Sequence, residues 1–172
     1  MSLVVHRAGL LTTVQDLGRW GHQSAGVPVA GPMDSWSHRL ANGAVGNEDS
    51  AAVLEVTLVG PLIECEVGTR MAITGAPCAI TIDGEHVRSP LLLEAAAGTR
   101  IDIGQCQAGT RTYVAVAGGF DVPVVLGSRS TDLRSGFGGY EGRAVHAGDR
   151  LPYAAVPVRP WRRELPEAAV GP

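Results

Sequence analysis

Two polar runs hold most of the side chains capable of directed chemistry in this chain of 172 residues. The first is Thr12-Thr13-Val14-Gln15-Asp16-Leu17-Gly18-Arg19. The second spans residues 127–143 and holds Ser128, Arg129, Ser130, Thr131 and Asp132, followed by Gly136, Gly138, Gly139 and Gly142. Each sets hydroxyls, a carboxylate and guanidinium groups among glycines, which let backbone N–H groups approach a ligand closely. Brought together by the fold, the runs would make a pocket for a polar or anionic small molecule. In that reading Asp16 orients or deprotonates the ligand, Arg19 holds an anion, and the 128–132 stretch orders over it. The competing reading is a turn cap, a surface ion pair and a surface loop.

A second polar set consists of Asn42, Asn47 and Glu55. Glu55 interrupts the apolar run Leu54-Glu55-Val56, and a carboxylate in a strand must be paired or face water. Placed inward beside Arg19 or Arg129, it would be structural or a substrate contact. His22 and His38 are candidates for proton transfer because imidazole titrates near neutrality. Neither has a catalytic spacing. No HExxH, GxSxG or cluster of His with Cys or carboxylate occurs, so no metal site is expected.

All fourteen basic residues are arginine. A chain without lysine cannot form a Schiff base, carry covalent biotin or lipoyl, or complete a Walker A loop. Arginine instead suits bidentate grip on carboxylates and phosphates. A net charge of -3 argues against sequence-independent nucleic-acid binding. Cys65, Cys78 and Cys106 are an odd set without CxxC spacing and read as reduced, mostly buried thiols. Residues 1–11 lack the apolar core of a signal peptide and no run reaches membrane-spanning length, so a cytoplasmic protein is expected.

The elements that must position these groups are short strands. Alternating or β-branched runs occur at residues 3–6, 53–58, 70–74, 79–83, 100–103 and 111–116. Gly68-Thr69-Arg70, Gly98-Thr99-Arg100, Gly109-Thr110-Arg111 and Gly148-Asp149-Arg150 repeat one turn-then-strand grammar. Asp83-Gly84 signals a tight hairpin. Trp36, Leu40, Ala41, Ala44 and Val45 fall at helical spacing after Asp34, an N-cap, and before Gly46-Asn47, a stop, which predicts one helix at about 34–45. That helix is expected to cover a barrel mouth or a sheet edge. Pro152, Pro157, Pro160 and Pro166 mark residues 152–172 as an extended linker leading toward a second β domain. Residues 1–151 form one mainly β domain.

Read in order, residues 9–19, Gly26-Val27-Pro28-Val29-Ala30-Gly31-Pro32-Met33-Asp34, Leu40-Ala41-Asn42 through Gly46-Asn47, Leu54-Glu55-Val56-Thr57-Leu58, residues 115–123, Leu126-Gly127-Ser128-Arg129-Ser130-Thr131 and Gly138-Gly139 through Arg143 resemble the KipA family. That family is also known as the C component of 5-oxoprolinase, as allophanate hydrolase subunit 2, or as the A and B part of the urea-carboxylase carboxyltransferase domain. The match covers residues 4–151, the first half of a typical member. The resemblance implies a cyclophilin-like or related β-barrel. It implies a subunit, inactive alone, of an ATP-dependent 5-oxoprolinase or a biotin-dependent carboxyltransferase. The expected partner is a KipI-like subunit, joined in stand-alone bacterial systems by a third subunit. ATP or carboxyl-biotin would arrive through those partners, with no cofactor bound covalently here. Within the matched motifs, Asp16 and Arg19 are the expected catalytic groups. Gln15, Asn42, Glu55, Arg129, Ser130 and Thr131 are the expected contacts to a small amide or carboxylate. The alternative is a regulatory protein that binds and antagonises a KipI-like kinase inhibitor without turnover.

Overall fold

The structure is a computed structural model and describes residues 1–154. The described residues hold eleven strands: β1 (Ser2–Arg7), β2 (Leu11–Gln15), β3 (Val53–Thr57), β4 (Leu62–Cys65), β5 (Thr69–Gly75), β6 (Cys78–Ile82), β7 (Glu85–Val87), β8 (Leu91–Ala95), β9 (Arg100–Cys106), β10 (Arg111–Val116) and β11 (Arg150–Pro152). Among the same residues one α-helix, α1 (Ser35–Val45), lies between β2 and β3, and one 3₁₀ turn covers Gln23–Ala25. The mainly β architecture with one principal helix is as expected. The strands form two antiparallel sheets, in the orders β11-β1-β4-β9-β6-β7 and β2-β3-β10-β5-β8, and no closed barrel.

Two-residue periodicity decides what each sheet buries. Leu3, Val5, Ile63, Ile80, Ile101 and Ile103 from the first sheet meet Val14, Leu54, Val56, Met71, Ile73, Val114 and Val116 from the second in one apolar core. The alternate residues of the second sheet point the other way. Val53, Ala72, Tyr113 and Ala115 pack under Ala41 and Val45 of α1 as a smaller cluster. The helix therefore covers the outer face of this sheet across β5 and β10, and not a barrel mouth or sheet edge. It begins as predicted, with Asp34 accepting hydrogen bonds from the N–H groups of Trp36 and Ser37, and it ends at Gly46 in the left-handed conformation.

Three of the four Gly-x-Arg turns place glycine at positive φ (Gly98, Gly109, Gly148), and strands begin directly after all four. Asp83 and Gly84, both at positive φ, close the β6–β7 hairpin. Pro152 ends the edge strand β11, where its missing N–H costs no ladder bond, and Tyr153 is buried beside Phe120. The remainder of the expected linker lies outside the described residues. Among those described, no helix is long and apolar enough to cross a membrane.

Candidate functional site

The first polar run is half strand: residues 11–15 are β2, at the edge of the five-stranded sheet. Its free edge is covered by the second run and the residues that follow it. Thr131 N–H and Oγ1 both donate to Val14 O, and Val145 N–H donates to Thr12 O. Covering an edge in this way removes a row of unpaired backbone groups. Gln15 ties the join further, with Nε2 donating to Thr131 O at 3.2 Å and Oε1 accepting from Gly31 N–H at 3.1 Å.

Asp16 is the knot. Its Oδ1 accepts from Ser128 Oγ at 2.5 Å, Ser130 Oγ at 2.7 Å and Gly18 N–H at 2.9 Å, while Oδ2 accepts from Arg129 N–H at 2.5 Å. Burial alone would raise its carboxyl, but these four donors outweigh that and hold it below the usual carboxylate range. The side chain is 8% exposed. Arg19 is 1% exposed: its guanidinium stacks 4.7 Å over the Phe137 ring and Nη2 donates to Ser130 O, with Nη1 buried and without a partner. The glycines of the second run are needed for this closeness. At Gly138 a Cβ would overlap Ser130 O and crowd Arg19 Nη2, and at Gly139 it would overlap Thr131 Oγ1.

The two runs thus meet, as their chemistry suggested, but what they build is a filled lock. Gln15, Asp16, Arg19, Ser130 and Thr131 are buried, and only Arg129 is half-exposed, its Nε donating to Val122 O at 3.0 Å. Asn42 lies elsewhere. It donates to Ala51 O and accepts from Asn47 Nδ2, and Asn47 in turn bonds Val116 O and Gly118 N–H, joining the end of α1 to the end of β10.

Glu55 is also apart from the lock. It faces inward, as one expectation had it, but its neighbours are neither Arg19 nor Arg129. It sits opposite Tyr113 in the β3–β10 ladder, on the face under α1. Its Oε2 accepts from Tyr113 OH at 2.8 Å and Met33 N–H at 2.7 Å, and Tyr113 OH accepts from Asp34 N–H. Burial, then the Glu55 charge, pushes the Tyr113 phenol well above its usual range, so it remains a donor. Arg111 Nε stands 3.6 Å from Glu55 Oε1. Beside this group a cleft of about 450 Å³ opens, lined by Met33, Asp34 and Ser37 of the helix start and by residues 75–77 and 108–111. In sequence, Tyr113 and Arg111 read only as part of a strand, and Asp34 only as a cap. Alternation along residues 111–116 puts Arg111, Tyr113 and Ala115 on one face, but nothing local tells which face carries the helix.

The histidines divide. His38 is wholly buried, its Nε2 3.3 Å from Gln15 O, and burial lowers its pKa, so it is a neutral core residue at neutral pH. His22, half-exposed, precedes the 3₁₀ turn. Burial pushes the Cys65 and Cys78 thiols up to about 11. Among the described residues no group of three or more His, Cys, Asp or Glu is placed to hold a metal.

The family model for the carboxyltransferase domain, subdomain A and B, matches residues 25–170. The chain belongs to this carboxyltransferase family. It is 46% identical over 150 residues to the C component of 5-oxoprolinase from Escherichia coli, covering 87% of this chain and 48% of that one. It is 43% identical over 144 residues to the urea amidolyase of Saccharomyces cerevisiae, covering 83% of this chain and 8% of the relative. The crystal structure of the K. lactis urea amidolyase superposes with a TM-score of 0.86 at 39% identity, over 88% of this chain and 9% of that one. The chain thus spans about half the length of the bacterial relative and a small part of the fungal enzymes.

Proposed function

We propose that the chain is a subunit of a 5-oxoprolinase or urea-carboxylase-like assembly, binding a small amide or carboxylate together with a KipI-like partner and a third subunit. The observation that carries this is the 46% identity, over nearly the whole chain, to a protein named as one component of a 5-oxoprolinase. Two features of the chain support a shared task. Without lysine it offers no attachment point for biotin, so an activated carboxyl-biotin, or ATP, would reach the substrate from another subunit. Its best-formed polar contacts are also spent on shape. Asp16 and Arg19 act as positioning residues that clamp residues 126–143 against β2, and Gln15, Ser130 and Thr131 complete the clamp. Arg129, half-exposed, is the member of that group whose cation reaches the surface, where Nη2 stands 3.8 Å from Asp121 Oδ1. Catalysis by such a subunit would come from placement and charge stabilisation.

Co-expression with a KipI-like partner and a third subunit, followed by an assay of ATP-dependent glutamate release from 5-oxoproline, tests this reading. Release that requires all three chains is expected. Absence of release, with carboxyl transfer to urea also absent, would overturn it. Stable association with the partner and no turnover of either compound would instead establish the regulatory reading.

A further inference from the structure

Cys78 and Cys106 are distant in the chain but directly opposed in the β6–β9 ladder, beside the irregularity between Cys78 and Ile80. The pair is of the kind not joined by its own hydrogen bonds. Cys106 N–H donates to Leu58 O, away from β6, while the adjacent Gln107 N–H donates to Pro77 O at 2.8 Å. In such pairs the Cα atoms stand about 4.5 Å apart and the side chains lie closest. That separation falls within the ~4.4–6.8 Å a disulfide spans. Both thiols also point the same way. Cys106 Sγ lies 3.6 Å from Thr112 Oγ1, and the Cys78 thiol is hydrogen-bonded to the same hydroxyl. Thr112 is wholly buried and shares the inward face of β10 with Val114 and Val116, so one hydroxyl of the facing sheet gathers two sulfurs at the rim of the core. Their exposure differs: Cys106 is half-exposed and Cys78 is 4% exposed. The third thiol, Cys65 on β4, is wholly buried and donates to Met71 Sδ at 3.7 Å.

We propose that Cys78 and Cys106 are a redox pair that a peroxide converts, reversibly, into a cross-strand disulfide. Cys106, the accessible member, attacks as the thiolate. Its sulfur bonds one peroxide oxygen, the O–O bond breaks, and the other oxygen leaves as hydroxide. Cys78 then gives up its proton and attacks the Cys106 sulfur; the S–S bond forms, the S–O bond breaks, and that oxygen leaves as water. The two thiols lose two electrons, their protons end on the departing oxygens, and hydrogen peroxide becomes two waters. Burial pushes the Cys78 thiol up to about 11, which keeps it protonated while the exposed partner is oxidised first. A dithiol reductant reverses the bond by exchange. The consequence falls on the cleft at the start of α1. One wall, residues 75–77, runs directly into Cys78, and another, residues 108–111, begins two residues after Cys106. In the reduced chain hydrogen bonds join these walls: Gln107 N–H to Pro77 O, Ala76 N–H to Arg111 O and Thr112 Oγ1 to Ala76 O. A disulfide at their base adds a covalent tie that fixes their spacing. The inference does not depend on what the cleft or the assembly binds.

The test treats the reduced 172-residue chain with hydrogen peroxide at mildly alkaline pH, blocks remaining thiols with N-ethylmaleimide, and maps peptides by mass without reductant. The expected product has lost two hydrogens, carries one maleimide in place of three, and yields a single linked peptide joining Cys78 to Cys106. Dithiothreitol should restore all three thiols. Cys65→Ala should form the same link. Cys78→Ser should stop at a sulfenic acid on Cys106 that dimedone traps, and Cys106→Ser should form no link. Amide exchange at Ala76 and Gln107 should slow several-fold on oxidation and recover on reduction. The wild-type peptide map decides the link without any variant, so an unstable serine variant leaves the test intact. Oxidation of Cys106 to a sulfinic acid, an intermolecular dimer or a bond to Cys65, with no Cys78–Cys106 peptide, would overturn the pair. The linked peptide with unchanged exchange at both amides would overturn the tie across the cleft.

Discussion

Removing the Asp16 carboxylate should unlock the second polar run from the sheet. Asp16→Ala takes the acceptor from four donors. The two serine hydroxyls can rotate, and Ser130 Oγ already lies 3.2 Å from Asp16 O. The N–H groups of Gly18 and Arg129 have no such freedom. A stranded buried donor costs about 1–3 kcal/mol, and these two are part-buried, so together they give a loss toward the low end, about 2–4 kcal/mol. That is a large share of the ~5–15 kcal/mol by which a domain is stable. Asp16→Asn keeps one acceptor oxygen but turns an NH₂ group toward a donor, and should lose about half as much. Urea unfolding followed by tryptophan fluorescence should show a lowered midpoint at unchanged slope. The pH dependence supplies a second reading. The folded carboxyl titrates below its ordinary value, so its contribution is complete above the unfolded pKa of about 3.9 and is lost as pH falls through the folded value. The gap between wild type and Asp16→Asn should therefore be flat near neutrality and narrow only below about pH 4. A gap under about 1 kcal/mol at neutral pH, or one that closes well above the carboxylate range, would refute the lock.

Three further outcomes follow from the same geometry. Tyr113→Phe removes the hydroxyl between Asp34 N–H and Glu55 Oε2; it should cost about 1–3 kcal/mol and speed hydrogen exchange in the first turn of α1 ahead of the rest of the helix. Gly138→Ala and Gly136→Ala share a positive φ, but only the first drives a Cβ into Ser130 O and Arg19 Nη2; a urea melt should show Gly138→Ala the more destabilised of the two. Cys65 and Cys78 are buried with thiols pushed up to about 11, whereas Cys106 is half-exposed. Iodoacetamide at mildly alkaline pH should alkylate one thiol rapidly in the folded chain and the other two only on unfolding.

What the sequence by itself determined is local: strands from alternation, the helix from its cap, spacing and glycine stop, and the hairpin at Asp83-Gly84. These rest on short-range sterics and on a periodicity that survives without neighbours. The family was also legible, in ordered motifs at residues 9–19, 26–34, 54–58 and 126–143. The tertiary structure decided what the polar groups are for. Asp16 and Arg19 look identical in sequence whether they grip a ligand or a loop, since only the approach of Ser128, Arg129 and Ser130 across more than a hundred residues reveals their partners. β2 hid inside the first polar run because Thr12, Thr13 and Gln15 are buried by an edge-covering loop and not by an apolar layer. Glu55, Tyr113 and Arg111 became one group only through the register of β3 on β10, and a one-residue slip would have turned Glu55 toward the apolar core. Register is set by the packing of whole sheets, which is why no single segment of the chain announces the cleft.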